Sequence, residues 1–262
     1  MSSKLYYKTQ GSGPPLILIP GFASGAWIWN WQTGPLAEKM RVITFDPRGI
    51  GRSEVEDQNE LTHLTLGCFA SDVLGIMDRL EIEKANVLGA SFGGFVAQQF
   101  ALSFPDRLNK LILACTGFGG SHHVAPAPEI LLAFASTDGM NTSERIRKFM
   151  APAFSDEFNA LHPETVEEVC RLREASIVPE TVYLAQMKAA TTFDFEYLVG
   201  GIKHETLVLT GDRDRVVPMQ NSFNLAAKMP RAQIKLIEGG SHMFFVERAG
   251  EFNEIVSEFV NC

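Results

Sequence analysis

Cysteine is scarce and scattered in this chain of 262 residues. Its four cysteines, Cys68, Cys115, Cys170 and Cys262, form no Cys-x-x-Cys motif, and its six histidines form no cluster with the spacing of metal ligands. Disulfide-stabilised secreted domains and zinc sites both need closer or more regular spacing. We therefore expect reduced thiols, and neither a disulfide framework nor a metal site.

Basic residues and long apolar runs are also in short supply. The 23 Lys and Arg against 31 Asp and Glu give a formal net charge of -8, which argues against nucleic acid or an anionic membrane as a partner. No apolar run approaches the ~18 residues of a membrane span. The first ten residues, MSSKLYYKTQ, lack the apolar segment of a signal peptide. We expect a cytoplasmic protein whose partner is a small-molecule substrate.

Short apolar runs separated by helical patterns are plentiful. Several of these runs are apolar without alternation, as expected for parallel strands that are covered on both faces. Between them, apolar residues recur at helical spacing. Strand and helix in alternation predict a doubly wound, mostly parallel α/β sheet, with an antiparallel edge strand near the start of the chain. The predicted parallel strands are 16–20, 41–46, 86–90, 110–115, 206–211 and 234–239.

One interval breaks this alternation. The roughly ninety residues after the strand at 110–115 contain no convincing strand, although Pro-Glu pairs at 163–164 and 179–180 are typical of helix starts. A helical insertion of this length, placed after the central strands, predicts a lid over the carboxyl edge of the sheet. The predicted division is a core of residues 1–117 and 203–262 and a helical lid of residues 118–202.

The sequence Gly89-Ala90-Ser91-Phe92-Gly93 matches the pattern G-x-S-x-G between a predicted strand and a predicted helix. A serine in so sharp a turn projects its hydroxyl clear of the sheet, and glycines on either side remove the Cβ atoms that would clash. The following helix directs its free N–H groups toward the same point. We predict that Ser91 is a covalent nucleophile.

A serine needs a base, and the base needs a carboxylate that orients it. His242 lies in EGGSHMFFVE, after the last predicted strand, where a loop can reach the carboxyl edge of the sheet. The end of the preceding strand, LVLTGDRDRVVP, offers two acids, Asp212 and Asp214, and the residues alone leave both open. The order serine, aspartate, histidine suits a strand-to-helix nucleophile turn.

The chain resembles the α/β-hydrolase fold family over nearly its whole length. The resemblance rests on LILIPGFASGAWIWNWQ, VITFDPRGIGRSE, GASFGG, and TGDRDRVVP with GGSHMFFVE. It is greatest to the lidded subgroup of small esterases, enol-lactone hydrolases and cofactor-free haloperoxidases. It favours Asp214 as the acid, through the G-x-x-D spacing of the family. It also implies an oxyanion hole made by the backbone N–H groups of Phe22 and Phe92.

The chain departs from the family pattern at three positions. Pro20 and Ile50 stand where the family often has histidine, and Ser241 stands where glycine commonly precedes the catalytic histidine. These departures leave the triad intact. Serine at position 91 argues against the dehalogenase and epoxide-hydrolase branches, which use aspartate there.

We expect a serine hydrolase that cleaves a small, mostly apolar carboxylic ester, lactone or thioester through an acyl-enzyme and needs no cofactor. Trp27, Phe134, Met187 and Met243 are the predicted pocket residues. The same triad also serves carbon–carbon bond hydrolases, hydroxynitrile lyases and perhydrolases, and a hydrolase scaffold can act as a ligand receptor. The sequence leaves these alternatives open.

Overall fold

A seven-stranded sheet lies at the centre of the fold in the computed structural model, which describes residues 3–55, 61, 63–135, 139–176 and 178–262, without the side chains of 3 and 133–135. The strand order is β2-β4-β3-β6-β7-β8-β9, with β2 antiparallel to β4 and every other neighbouring pair parallel. Strands β1 and β5 form a separate antiparallel pair. The strands are β1 Ser3–Lys4, β2 Tyr7–Gln10, β3 Pro15–Ile19, β4 Arg41–Phe45, β5 Glu54–Val55, β6 Ala85–Ala90, β7 Leu108–Ala114, β8 Thr206–Gly211 and β9 Ala232–Ile237.

Helices cover both faces of this sheet. Helices α2 and α3 pack together on one face, and α1 and α11 pack together on the other. No helix among the described residues combines the length and the apolarity that crossing a membrane requires. The helices are α1 Asn30–Ala37, α2 Leu66–Arg79, α3 Phe92–Ser103, α4 Pro128–Ala135, α5 Thr142–Met150, α6 Asp156–Leu161, α7 Pro163–Ala175, α8 Glu180–Thr191, α9 Gln220–Lys228, α10 Phe244–Glu247 and α11 Ala249–Asn261.

Strand β3 shows why the central runs are apolar without alternation. Leu16 and Leu18 belong to the core cluster on one face of the sheet, and Ile17 and Ile19 belong to the cluster on the other. All four side chains are at most 2% exposed. Successive side chains of a strand point to opposite faces, so a strand covered by helices on both sides needs an apolar residue at every position.

The predicted doubly wound, mostly parallel sheet is confirmed. Each of the six predicted parallel strands is present, with its ends within two residues of the prediction, and β2 is the predicted antiparallel edge strand. Five helices, α4 to α8, lie between β7 and β8. In the described part of that interval the β-structure is one isolated bridge, between Gly119 and Asp194. The division at 118–202 and its role as a lid stay predictions.

A buried aspartate fastens the loop after β3 to the loop after β4. Asp46 is 2% exposed, and its Oδ1 accepts a hydrogen bond from the backbone N–H of Ala26 at 2.8 Å. Its Oδ2 accepts from the backbone N–H of Arg52 at 3.1 Å and from the Arg52 Nε at 2.8 Å. Both loops follow carboxyl ends of strands, so this carboxylate holds the edge of the sheet on which the predicted site lies.

Asp46→Ala should lower the free energy of unfolding by about 3 kcal/mol, because the buried N–H of Ala26 and the backbone of Arg52 lose their acceptor. Asp78→Ala is the control. Asp78 lies on α2, is 59% exposed and pairs with Arg107, so its loss should cost less than about 1 kcal/mol. Urea denaturation of both variants measures the difference. Equal losses would contradict the anchoring role of Asp46.

Candidate active site

The turn at Ser91 joins β6 to α3 through a single residue. Ser91 has φ 55° and ψ -118°, a left-handed conformation that is strained for a residue with a side chain. Two hydrogen bonds to the end of strand β7 hold it there. The N–H of Ser91 donates to the carbonyl of Ala114 at 2.8 Å, and its carbonyl accepts from the hydroxyl of Thr116 at 3.0 Å. The residue is half-buried. The backbone therefore presents this side chain at the carboxyl edge of the sheet.

The glycines around Ser91 allow this turn to pack closely. A Cβ atom on Gly89 would lie 2.1 Å from the carbonyl oxygen of Gly93, and one on Gly93 would lie 2.3 Å from the carbonyl oxygen of Ile19. A Cβ atom on Gly94 would lie 2.6 Å from the side chain of Thr116. These are impossible contacts, so α3 can approach β3 and β6 only because side chains are absent at these positions.

A histidine and an aspartate pair after strands β8 and β9. His242 Nδ1 lies 2.9 Å from Asp214 Oδ2, and the two residues are 9% and 7% exposed. The other carboxylate oxygen, Oδ1, accepts from the backbone N–H groups of Val216 at 2.9 Å and Val217 at 2.8 Å. A carboxylate held in this way favours the tautomer with the proton on Nδ1 and leaves Nε2 of the imidazole as a base.

The second candidate acid has a local role. Asp212 is exposed, and its Oδ1 accepts from the backbone N–H of Gly239 at 2.7 Å. This contact braces the end of β8 against the turn after β9. Of the two acids only Asp214 is bonded to His242, so the geometry favours Asp214, as the family resemblance implied.

The nucleophile turn and the Asp214–His242 pair lie at the same edge of the sheet. Ser91 follows β6 and Asp214 follows β8, and only β7 separates these strands. Among the described residues the Ser91 hydroxyl has no hydrogen-bond partner, and such bonds often tighten only when substrate binds. Cys115, at the end of β7, is fully buried, and burial together with the charge of Asp214 raises the pKa of its thiol well above the ordinary value. This thiol therefore stays protonated and does not compete as a nucleophile.

The predicted oxyanion hole lies beside Ser91. Phe92 is the first residue of α3, so its N–H is one of those that the helix leaves without a partner. A Cβ atom on Gly21 would lie 3.6 Å from the Cβ of Ser91, which places the loop after β3 against the nucleophile. Phe22 follows in this loop, and the next residue, Ala23, has φ 50°. Both predicted donors thus border the turn, and their role in the reaction stays a prediction.

The four predicted pocket residues differ in their surroundings. Met243 is 5% exposed, Trp27 is half-buried, and Met187 is 38% exposed on α8. Phe134 falls outside the residues whose side chains the structure describes. None of these three side chains lines the small cavity beside Phe92, and their place in a substrate pocket stays a prediction. In the described part of the chain no group of histidine, cysteine or acidic side chains could hold a metal ion.

Two residues that the sequence analysis did not single out reach the oxyanion loop from the inserted helices. Gln186 of α8 is 1% exposed, and its Oε1 accepts from the backbone N–H of Ala23 at 2.8 Å. Arg173 of α7 places its Nη2 3.4 Å from the carbonyl oxygen of Phe22. The one sequence signal for Gln186 is a polar residue at helical spacing from buried Val182. Arg173 lies among several charged residues of α7 and gives no such signal.

Comparison with known proteins identifies the family of the chain. The family model of the alpha/beta hydrolase fold matches residues 14–249. The chain belongs to this family, and it is a hydrolase. It is 29% identical to the protein named "Putative carbamate hydrolase RutD" of Caulobacter vibrioides, over 98% of this chain and 95% of that protein.

Two further relatives extend the comparison. The chain is 30% identical to the 2-hydroxy-6-oxo-6-phenylhexa-2,4-dienoate hydrolase of Comamonas testosteroni, over 98% of this chain and 91% of the other. A solved structure described as an N-acyl homoserine lactone degrading enzyme has a TM-score of 0.81 and 27% identity, over 98% of this chain and 97% of that chain. The predicted membership of the α/β-hydrolase fold family is confirmed.

Asp214→Asn should lower kcat by up to ~10⁴, because an amide cannot hold the imidazole in the tautomer that the base needs. Asp212→Asn is the matched control and should change kcat little, with a loss of about 1 kcal/mol in stability if the bond to Gly239 weakens. Steady-state kinetics of both purified variants decide between the acids. A larger loss in Asp212→Asn would reverse the assignment, and small, near-equal losses would require a third acid.

Proposed function

We propose that the chain is a serine hydrolase that cleaves small carboxylic esters, lactones or thioesters through an acyl-enzyme on Ser91. The observation that carries this proposal is the buried Asp214–His242 pair, which lies at the same sheet edge as a strained, glycine-flanked serine. In related arrangements a carboxylate, an imidazole and a hydroxyl act as one unit. The strained backbone of Ser91 is held by hydrogen bonds to Ala114 and Thr116, as expected at a functional position.

The reaction proceeds in two halves. His242 Nε2 takes the proton of the Ser91 hydroxyl as the oxygen attacks the carbonyl carbon, and the N–H groups of Phe22 and Phe92 stabilise the oxyanion. His242 then protonates the leaving alcohol or thiol, and an acyl-enzyme remains. In the second half His242 activates a water molecule, which releases the acid and restores the serine. Asp214 stabilises the imidazolium in both halves.

The names of the relatives support acyl transfer to water. A lactone-degrading enzyme and a carbamate hydrolase both act at a carbonyl carbon that bears a heteroatom leaving group. Both names fit the donors at the Ser91 turn, which suit a tetrahedral oxyanion. Four alternatives remain: carbon–carbon bond hydrolysis, hydroxynitrile cleavage, perhydrolysis, and a role as a ligand receptor. A substrate panel separates them.

Ser91→Ala should reduce kcat by about 10⁴ to 10⁶ on every substrate that the wild type turns over, because the triad acts as a unit. The panel comprises p-nitrophenyl acetate and butyrate, a γ-lactone, a thioester and a vinylogous 1,5-diketone. Ser103→Ala, at the exposed far end of α3, is the control and should retain full activity. Turnover within tenfold of the wild type in Ser91→Ala would refute the nucleophile assignment.

A specific observation favours one second candidate, a hydrolase for a substrate that carries a carboxylate. Arg173 packs over the ring of Phe149 at 4.8 Å and contacts the Sδ of Met150 at 3.7 Å, and burial lowers the pKa of its guanidinium to about 10. Within the described residues no carboxylate lies at ion-pair distance from it. The group still carries its charge at neutral pH, and a substrate carboxylate would satisfy it.

This observation supports carbon–carbon bond hydrolysis as the second candidate function. The name of the Comamonas testosteroni relative specifies a dienoate, whose carboxylate could bind the guanidinium while a keto group lies at the nucleophile. Arg173 reaches the carbonyl of Phe22, so a carboxylate bound there would be close to the oxyanion loop. Ser91 would then attack a ketone carbonyl. The leaving group would be a carbon fragment, which takes the proton from His242 in place of an alcohol oxygen.

Arg173→Met should raise KM at least about tenfold for p-nitrophenyl hemisuccinate, which carries a carboxylate, because a charge-assisted hydrogen bond is lost. KM for the uncharged p-nitrophenyl valerate should change less than about threefold. Arg171→Met, an exposed residue on the same helix, is the control and should affect neither ester. Equal losses on both esters in Arg173→Met would contradict a carboxylate site.

A further inference from the structure

The peptide that joins Phe22 to Ala23 is held from both sides by the inserted helices. On one side Gln186 Oε1 accepts the N–H of Ala23 at 2.8 Å, and on the other Arg173 Nη2 lies 3.4 Å from the carbonyl oxygen of Phe22. The Ser24 hydroxyl also donates to that carbonyl, at 3.2 Å. Helices α7 and α8 therefore both contact this one peptide of the loop after β3.

The conformation that these contacts hold is not one the chain adopts unaided. Ala23 has φ 50°, and left-handed backbone costs a residue with a Cβ about 1 to 2 kcal/mol. Ala23 is 3% exposed, so its N–H is shielded from bulk solvent and Gln186 is the partner that satisfies it. The bond from Gln186 therefore selects a strained conformation immediately after the predicted oxyanion donor.

The environment of Gln186 argues for more than helix packing. The side chain is 1% exposed, and its Nε2 is buried with no hydrogen-bond partner among the described residues. It lines a cavity of about 10 Å³ together with Phe92, Pro20 and five apolar side chains. A buried amide with an unsatisfied donor costs about 1 to 3 kcal/mol. An apolar residue would pack α8 at lower cost, so the acceptor function toward Ala23 accounts for the glutamine.

Gln186 can act on the oxyanion hole through the backbone. The N–H of Phe22 belongs to the peptide immediately before the one that Gln186 holds, so the two peptide planes share the dihedral angles of Phe22. The ring of Tyr183, one turn earlier on α8, packs against the Phe22 ring with centroids 4.8 Å apart. Helix α8 thus contacts both the side chain and the following peptide of the donor residue.

We propose that Gln186 is a positioning residue that fixes the direction of the Phe22 N–H in the oxyanion hole. The inference rests on the proposed function, since it assigns a residue to the same reaction. The contact makes helix α8 part of the structure that stabilises the transition state. Oxyanion holes depend on donors that are already oriented before charge develops, so a small rotation of this peptide reduces the rate.

The test uses the full-length chain and a trifluoromethyl ketone, whose hemiketal with Ser91 places an oxyanion in the hole. Gln186→Met keeps the volume of the side chain and removes the acceptor. We expect kcat to fall about 10- to 100-fold, less than the loss of a whole donor, while KM changes less than about threefold. The affinity for the ketone should fall by the same factor as kcat/KM.

Asn253→Leu is the matched control for stability. Asn253 is 6% exposed on α11, and its side chain donates to the carbonyl of Trp31 at 2.9 Å, so this variant also loses a buried side-chain-to-backbone bond. Its kcat and its affinity for the ketone should not change. A parallel loss of ketone affinity in Asn253→Leu would show a general effect of destabilisation and would overturn the positioning role.

The remaining outcomes separate the inference from the proposed function. A wild type that neither hydrolyses the panel nor binds the ketone would refute the proposed function. An active, inhibited wild type with Gln186→Met within twofold of it would overturn the role of Gln186. If Gln186→Met does not fold, amide hydrogen exchange of the wild type, measured with and without the ketone, tests the role of Gln186 instead. Ketone binding should increase protection of the Ala23 N–H, since coupling is reciprocal, and unchanged protection would overturn the proposal.

Discussion

The left-handed turn at Ser91 is the constraint on which the rest of the structure depends. A strand that becomes a helix through one residue brings the helix start to within contact distance of the neighbouring strands. The chain tolerates this only where Cβ atoms are absent, as at Gly93, whose Cβ would lie 2.3 Å from the Ile19 carbonyl oxygen. The strained turn is held by hydrogen bonds from Ser91 to Ala114, the last residue of the adjacent strand β7, and to Thr116, which follows that strand.

Carboxylates that accept hydrogen bonds from backbone N–H groups fix the loops that surround this turn. Asp46 holds the loop after β3, and Asp214 holds both His242 and the backbone that follows β8. Glu247 does the same for the histidine loop, since its two oxygens accept from the N–H groups of Ser241 at 2.8 Å and Ser155 at 2.6 Å. Each acid is satisfied by backbone donors, so each orders a loop and leaves few buried donors without partners. The result is a site whose parts are oriented before substrate arrives.

Much of this could be predicted from the sequence, because burial and close packing restrict which residue types can occupy a position. Strand β3 is apolar at every position since both of its faces are covered, and the glycines around Ser91 reflect contacts that only glycine permits. The sequence left Asp212 and Asp214 open, since both follow the same strand and only the fold shows which one meets His242. Family resemblance favoured the second, and the 2.9 Å contact agrees with it.

What could not be predicted depends on how distant elements pack. Gln186 meets Ala23 across 163 positions of sequence, and Arg173 meets Phe22 across 151, so neither contact leaves a local pattern. The predicted pocket rests on apolar residues near the catalytic loops and in the predicted lid, yet apolar character says only that a side chain avoids water. Whether Met187, 38% exposed, or Met243, 5% exposed, faces substrate depends on the placement of α8 and of the histidine loop.

The most direct test of this account is the site at which a fluorophosphonate attaches to the native chain. Reaction to completion followed by peptide mapping identifies the modified residue, and intact mass gives the stoichiometry. The account predicts one adduct per chain, on the peptide that contains Ser91, because this serine lies in a strained turn at the sheet edge that also carries the Asp214–His242 pair. An adduct on a different serine, or an unmodified chain that still hydrolyses esters, would contradict it.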